Sequence, residues 1–128
     1  MLRPQLISAL ISAVEGPDEA EAVIAATMVA DTIKLVDEDG VVLATPERST
    51  LRAVQTPQAF ARRVLVRALA QDDGVLAAAT DDAGLVESLG VPVHVLEAPT
   101  ENFKVTNPHD LKLAELILEG RTESGAVA

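Results

Sequence analysis

Two runs of apolar and β-branched residues flank Asp39-Gly40 in the stretch 32-TIKLVDEDGVVLAT-45. An Asp-Gly pair between such runs is a strong β-hairpin signal, because glycine accepts the positive φ that tight turns require. A two-residue turn at Asp39-Gly40 would fix the pairing of the two strands. It places three pairs of residues face to face: Val36 with Leu43, Lys34 with Thr45, and Asp31 with Arg48.

The segments before this hairpin predict one helix and one strand. Apolar residues recur at helical spacing between Leu6 and Val14, and Gly16-Pro17 is a typical helix stop. The following run, 20-AEAVIAATMV-29, contains enough alanine to allow a helix. Its continuous apolarity favours a buried strand.

After the hairpin, a strand from Leu51 to Gln55 runs into Thr56-Pro57. Proline disfavours the helical region for the residue before it and is tolerated in the first helical turn. We therefore expect Thr56 to cap a helix from about Pro57 to Ala70. Its expected buried stripe is Phe60, Val64, Ala68 and Leu69.

The remaining segments alternate between helix and strand signals. After a polar break at 72–74, Thr80 is expected to cap a helix that ends at Gly90. Strand-like stretches follow at 91–96 and 103–105. Asn107 then caps a final helix to Leu118, with Pro108 in its first position, and 120–128 is expected to be a frayed tail. The alternation predicts an α/β domain over 1–119 in which a helix-covered sheet carries a hairpin arm at about 31–50.

Composition narrows the classes of function. The net charge is −10, which disfavours binding to nucleic acid or acidic membranes. The chain has no cysteine, so thiol catalysis and zinc–thiolate sites are excluded. No apolar run reaches membrane-spanning length and no signal-like segment opens the chain, so a cytoplasmic location is the expectation.

Two basic residues, Arg48 and Lys104, stand in strand or loop contexts where they suit an anionic ligand. Arginine offers a planar fork of donors for phosphate, and lysine a mobile point charge. The alternatives are an ion pair between Arg48 and Asp31 and a solvated Lys104. Five further basic residues are expected to be solvated: Arg62, Arg63, Arg67, Lys112 and Arg121.

The acidic and histidine residues give weaker signals. Thr80-Asp81-Asp82 could be a metal-binding pair of carboxylates, but a capped helix start explains it fully. His94 and His109 lack ligand spacing and are expected to be ordinary surface residues.

Four segments in order resemble the methylerythritol phosphate cytidylyltransferases: 31-DTIK-34, 55-QTPQAF-60, 80-TDDA-83 and 103-FKVTNPHDLKLAE-115. The resemblance extends from about Arg3 to Leu118. It implies a Rossmann-like α/β fold whose hairpin arm embraces a second subunit in a homodimer. It also implies a reaction that joins CTP to methylerythritol phosphate with magnesium and releases diphosphate.

The resemblance assigns roles to five residues. Arg48 and Lys104 would position the substrate phosphate for attack on the CTP α-phosphorus. Thr32, Thr56 and Thr80 would contribute hydroxyl groups around the same substrate. Since Thr32 and Arg48 belong to the arm, they would act across the dimer interface.

The sequence also departs from the family. The Gly-rich loop that grips CTP and a later Asp-Ala-Ala-Arg-Pro segment have no counterpart here. We therefore expect the chain to be the carboxy-terminal portion of the enzyme, with no CTP-binding and no metal-binding residues of its own, and to be inactive alone. The alternatives are a ribitol phosphate cytidylyltransferase, which shares the arm and the Thr-Pro-Gln turn, and a non-catalytic dimerisation fragment.

Overall fold

A computed structural model describes residues 3–16 and 20–125, with side chains through Arg121. It contains five helices and five strands, with a 3₁₀ turn at Arg48–Thr50. In chain order these are α1 (Pro4–Glu15), β1 (Ala22–Met28), β2 (Leu35–Val36), β3 (Val42–Ala44), β4 (Arg52–Phe60), α2 (Arg62–Ala68), α3 (Asp73–Ala78), α4 (Asp82–Ser88), β5 (His94–Glu97) and α5 (Pro108–Gly125).

The main sheet has the order β4-β1-β5. β1 is central: it pairs antiparallel with β4 and parallel with β5. Residues 22–26 of β1 are all buried. A central strand covered on both faces reads as a continuous apolar run, so the strand prediction for 20–29 is confirmed.

Helices cover both faces of this sheet. Val23 and Ala25 of β1 pack with Leu6 and Leu10 of α1 on one face. On the other face Ala22 packs with two buried groups, Val64 and Ala68 of α2 and Leu85 and Val86 of α4. Successive strand residues point to opposite faces, so one alanine- and valine-rich strand serves two cores. The α/β class with a helix-covered sheet is confirmed.

The arm, residues 31–50, is a hairpin of β2 and β3. Its predicted two-residue turn is wrong. Gly40 donates its N–H to the Asp37 carbonyl at 3.1 Å and adopts φ +81°, which gives a three-residue loop. Asp37 Oδ1 accepts the N–H of Val41 at 2.8 Å and so holds the extra residue.

The altered turn changes the pairing only next to the turn. Val36 pairs with Val42 and not with Leu43, whereas Leu35 pairs with Ala44, in the register that the sequence predicted. The expected contact of Lys34 with Thr45 is present, as a hydrogen bond of 2.7 Å from Nζ to Oγ1. The expected Asp31–Arg48 pair is absent, because Arg48 Nη1 donates instead to the Ala30 carbonyl at 3.0 Å.

The boundary at Thr56-Pro57 also differs from the prediction. The strand continues through this peptide bond, which is cis, to Phe60, and α2 begins at Arg62 with Ala61 as its cap. Thr56 is therefore not a helix cap. β4 is an edge strand of the described sheet, where a residue without an N–H is tolerated. Leu69, the C-cap of α2, is exposed, whereas Val64 and Ala68 are buried as predicted. Phe60 is partly buried, at the end of β4 and not in the helix.

Four further boundaries differ from the predictions. The polar stretch 72–74 leads into a short helix, α3, and Asp81 replaces Thr80 as the cap of α4. Strand β5 begins at His94, and 103–105 is not a strand.

The final helix begins as predicted. Asn107 Oδ1 accepts the N–H groups of His109 and Asp110 at 2.9 and 3.0 Å. The helix continues to Gly125, so the first six residues of the expected tail at 120–128 are helical. The rest of that tail lies outside the described residues. Pro17, part of the predicted stop of the first helix, also lies outside them. Within the described residues no helix has the length and apolarity needed to cross a bilayer.

Candidate functional site

An open cavity of about 560 Å³ lies between β4, the start of α4 and the loop that follows β5. We call it the β4 cavity. Its lining includes Thr56 and Gln58 of β4, Thr80 and Asp81 just before α4, and Asn102 and Lys104 of the loop. Three of the five residues singled out in the sequence, Thr56, Thr80 and Lys104, therefore meet at one place. They come from three separate segments of the chain.

A bulge in β4 presents Thr56 to the cavity. Ile24 of β1 pairs with Gln58, and Ala26 pairs with Val54. The single β1 residue between these two positions thus faces three residues, 55–57, on β4. Bulges of this kind bend a strand away from its partner and re-aim its side chains. Thr56 is accordingly exposed at the cavity wall and does not pack into the sheet.

Asp81 holds the start of α4, next to Thr80, in place beside the cavity. Its Oδ1 accepts the N–H of Gly84 at 2.9 Å and so caps α4. Its Oδ2 accepts a hydrogen bond of 3.0 Å from Nε2 of Gln58 on β4. Both oxygens of this carboxylate are therefore engaged in holding the helix start against the strand.

Asn102 connects the loop that carries Lys104 to the β4 bulge. Its Nδ2 donates to Gln55 Oε1 at 3.0 Å and to the Thr56 carbonyl at 2.8 Å. The Lys104 side chain itself is exposed and forms no ion pair with any described residue. Its ammonium is thus free to meet an anion in the cavity.

A three-residue ion cluster holds the same loop from the other side. Arg3 Nη2, at the start of α1, lies 2.7 Å from Glu101 Oε2, and Arg121 of α5 bonds to the same oxygen. The Arg121 hydrogen bond, followed by that of Arg3, lowers the pKa of Glu101 to about 2. The cluster ties the first and last helices to the residue before Asn102.

Two of the cations expected to be solvated are in fact paired. Arg121 is partly buried in the cluster with Glu101, and Arg63 lies 2.8 Å from Glu21. Sequence reasoning missed Glu101, Asn102 and the bond between Gln58 and Asp81. No local pattern marks them, since each acts through a partner at least 20 residues away in the chain.

Arg48 and Thr32 do not line the β4 cavity. Arg48 opens the 3₁₀ turn at the base of the arm, and Thr32 lies in the segment before β2. Both are exposed. The arm itself shows large apolar side chains to solvent: Leu35, Val36, Val41, Val42 and Leu43 are 53–65% exposed. Within one copy of the chain the structure therefore gathers three of the five residues.

The donor set around the β4 cavity does not fit a magnesium ion. Mg²⁺ prefers oxygen ligands in octahedral geometry, commonly one or two free carboxylates with water and substrate phosphates. Asp81 supplies the carboxylate here, and both of its oxygens already accept hydrogen bonds. Across the described residues, no three acidic or histidine side chains are grouped closely enough to hold a metal ion.

Comparison with known proteins identifies the chain's relatives. Residues 1–120 match the family model of IspD, 2-C-methyl-D-erythritol 4-phosphate cytidylyltransferase. The protein of that name from Frankia casuarinae is 54% identical over 115 residues, which are 90% of this chain and 41% of the relative. The one from Symbiobacterium thermophilum is 51% identical over 120 residues, or 91% of this chain and 50% of the relative.

Solved structures agree with these sequence matches. The cytidylyltransferase of this name from Thermus thermophilus superposes with a TM-score of 0.78 at 31% identity, over 93% of this chain and 57% of that one. The 4-diphosphocytidyl-2C-methyl-D-erythritol synthase from Anaerococcus prevotii gives 0.76 at 32% identity, over 90% and 52%. These neighbours support the Rossmann-like description of the sheet. The chain spans about half the length of the curated relatives it matches. By its sequence and its fold, it belongs to the 2-C-methyl-D-erythritol 4-phosphate cytidylyltransferase family.

Proposed function

We propose that this chain carries the polyol phosphate site of a cytidylyltransferase that joins CTP to 2-C-methyl-D-erythritol 4-phosphate. The supporting observation is the β4 cavity, in which Thr56, Thr80 and Lys104 meet. An ammonium group suits a phosphate, and hydroxyl groups that both donate and accept suit a polyol. The family to which the chain belongs supplies the names of the two substrates.

The proposed reaction needs charge stabilisation more than proton transfer. A phosphate oxygen of methylerythritol phosphate attacks the α-phosphorus of CTP, the α–β anhydride bond breaks, and diphosphate leaves with the bonding electrons. Since the attacking phosphate is already ionised near neutral pH, no general base is required. Lys104 would offset the charge that gathers where the two anions meet, and the threonines would orient the polyol.

Arg48 and Thr32 would complete this site from a second copy of the chain. Both are exposed on the arm and lie outside the β4 cavity of their own copy. The apolar side chains exposed along the arm suit burial against another protein surface. We propose a homodimer in which each arm delivers Arg48 to the partner's substrate phosphate.

Magnesium is proposed as an ion that accompanies the CTP phosphates. The described residues around the cavity do not form a site for it, so we assign its ligands to the nucleotide and to parts of the enzyme that this chain does not contain. We further propose a cytoplasmic location. The chain alone is expected to bind methylerythritol phosphate but not to transfer the cytidylyl group, because charge stabilisation for the triphosphate is missing.

Direct binding tests this proposal. Calorimetry with the 128-residue chain should detect binding of methylerythritol phosphate, and Lys104→Ala should weaken it about tenfold or more through loss of a charge-assisted contact. Lys112→Ala is the matched control, because Lys112 is an exposed lysine on α5 outside the cavity. Equal effects of the two substitutions would contradict the assignment. Tighter binding of ribitol phosphate would favour the other cytidylyltransferase class.

A further inference from the structure

Asn102 is the one buried side chain with a polar group among the described residues, at 6% exposure. Burying an amide costs free energy unless its hydrogen bonds are made inside the protein. Asn102 meets this requirement by donating to Gln55 Oε1 and to the Thr56 carbonyl. Both acceptors belong to the β4 bulge.

The bulge explains why an amide is needed at this place. Residues 55–57 have no Cα partner in β1, since pairing stops at Val54 and resumes at Gln58. The extra residues of a bulge are left out of the regular ladder of backbone hydrogen bonds. Asn102 gives the Thr56 carbonyl a donor from another segment of the chain, at 2.8 Å.

The loop around Asn102 is anchored on both sides. Before it, Ala98 donates its N–H to the Ala26 carbonyl at 2.8 Å, and Glu101 is held by Arg3 and Arg121. The Asn102 N–H itself donates to the Pro99 carbonyl at 2.9 Å, which closes a turn. After it, neither Phe103 nor Lys104 forms a backbone hydrogen bond with another described residue. The hydrogen bonds of the Asn102 side chain are thus the last contacts that hold the loop before Lys104, which lies two residues further on.

We propose, on the basis of the proposed function, that Asn102 is a positioning residue for the polyol phosphate site. Its amide holds the Lys104 loop against the β4 bulge, so that the Lys104 ammonium and the Thr56 hydroxyl reach the same phosphorylated polyol. Asn102 acts through these two residues. A residue that only stabilised the fold would lower stability without selectively weakening binding of the ligand.

The test compares Asn102→Ala with Gln71→Ala in the 128-residue chain. Gln71 is a matched control because its amide also donates two hydrogen bonds, to the Ala68 and Leu85 carbonyls at 3.0 and 2.9 Å, yet it does not line the β4 cavity. We expect both variants to unfold at lower urea concentration. Only Asn102→Ala should raise the Kd for methylerythritol phosphate, by about tenfold, measured by calorimetry where both variants are folded.

A second comparison separates positioning from an independent contact. Residues that act through one another are not additive in free energy. In a background that carries both Lys104→Ala and Thr56→Val, Asn102→Ala should therefore weaken binding by less than about threefold. The proposal would be overturned if Asn102→Ala raised the Kd tenfold in both backgrounds. Equal Kd values for Asn102→Ala and Gln71→Ala would also overturn it.

A gentler variant covers the case in which Asn102→Ala does not fold. Asn102→Ser keeps a hydroxyl donor, and its Kd should rise less than that of Asn102→Ala but more than that of Gln71→Ala. A Kd unchanged in folded Asn102→Ser, with Asn102→Ala unfolded, counts against the proposal. If the unsubstituted chain does not bind methylerythritol phosphate, the proposed function fails first. If it binds and Lys104→Ala weakens binding while Asn102→Ala does not, only this inference fails.

Discussion

Gln58 Nε2 and Asp81 Oδ2 lie 3.0 Å apart and join the strand that carries Thr56 to the helix start beside Thr80. The other oxygen of the same carboxylate caps α4. A single carboxylate thus maintains both a local helix end and a long-range contact across the β4 cavity.

Replacing Asp81 should therefore cost more than a helix cap alone. Loss of an N-cap side chain typically costs about 1 kcal/mol of the free energy of unfolding. Asp81→Ala also leaves the Gln58 amide without this partner, so we expect a loss of about 1.5–3 kcal/mol in urea unfolding. Asp82→Ala is the control: it removes a neighbouring exposed acid in the first helical turn, a change worth about 0.3–1 kcal/mol. Similar losses for the two variants would show that the Gln58 contact contributes nothing.

The fall of the unfolding free energy at acid pH should depend on Glu101. Hydrogen bonds from Arg121 and then Arg3 lower its pKa from 4.5 to about 2 in the folded chain. Between these values the unfolded state binds more protons than the folded state. The contribution of Glu101 to stability is therefore complete above pH about 4.5 and is lost as the pH falls towards about 2. Glu101→Gln should flatten the fall of the unfolding free energy across this window.

The two arginines provide an internal comparison for that experiment. Both Arg121→Ala and Arg3→Ala should raise the pKa of Glu101, the first by more because its hydrogen bond is the larger cause. NMR titration of the Glu101 carboxyl group measures this directly. An unchanged Glu101 pKa in both variants would mean that the cluster does not form in solution.

The effect of Arg48 on the reaction itself is measured in an enzyme competent for transfer. A suitable enzyme is a chimera in which residues 1–120 replace the matching half of the Symbiobacterium thermophilum relative. Arg48→Ala should lose about 1.5–3 kcal/mol of charge-assisted contact, which is roughly a 10- to 150-fold drop in kcat/KM. Diphosphate release under steady-state conditions measures it.

Arg52→Ala is the control for this prediction. Arg52 is also an exposed arginine, close to the arm, and its guanidinium donates to the carbonyls of Ser49 and Leu51. We expect its kcat/KM to stay near that of the parent chimera. Full activity of Arg48→Ala would reject its role at the substrate phosphate.

The arm should drive self-association. Sedimentation velocity of the 128-residue chain should show a dimer at high concentration. Leu43 lies on the arm and is 65% exposed. Because Leu43→Asp removes apolar surface that the dimer would bury, it should weaken the dimer about tenfold or more. Leu111→Asp places the same change on an exposed leucine of α5 and should leave association unchanged. A monomer at every concentration would speak against an interface built by the arm.

Sequence patterns predict the elements whose structure is decided locally. The helical spacing from Leu6 to Val14, the apolar run of β1 and the Asn107 cap all correspond to observed elements. Each depends on burial of one face or on hydrogen bonds within a single turn. The same holds for the existence of the hairpin, which Asp39-Gly40 signals.

The misplaced elements depend on contacts that the local sequence does not contain. Pro57 was expected to open a helix, yet β4 continues past it because β1 offers a pairing partner as far as Phe60. The pairing beside the hairpin turn differs from the prediction because the Asp37 carboxylate accepts the N–H of Val41. In the site, resemblance to a family pointed to Thr56, Thr80 and Lys104. No such signal marks Asn102, because the Thr56 carbonyl to which it donates belongs to a bulge 46 residues earlier in the chain.

The bulge in β4 contains an even surplus of residues: four positions separate Val54 from Gln58, whereas two separate their partners Ala26 and Ile24. Strand side chains alternate with a period of two, so an even surplus leaves the inward and outward faces unchanged on both sides. Residues can thus be exchanged within this short protrusion while the strand beyond it keeps the same side towards the helices. The side chain of Thr56 can thus change without reversing the faces of β4, whereas Gln55 is tied to the buried amide of Asn102.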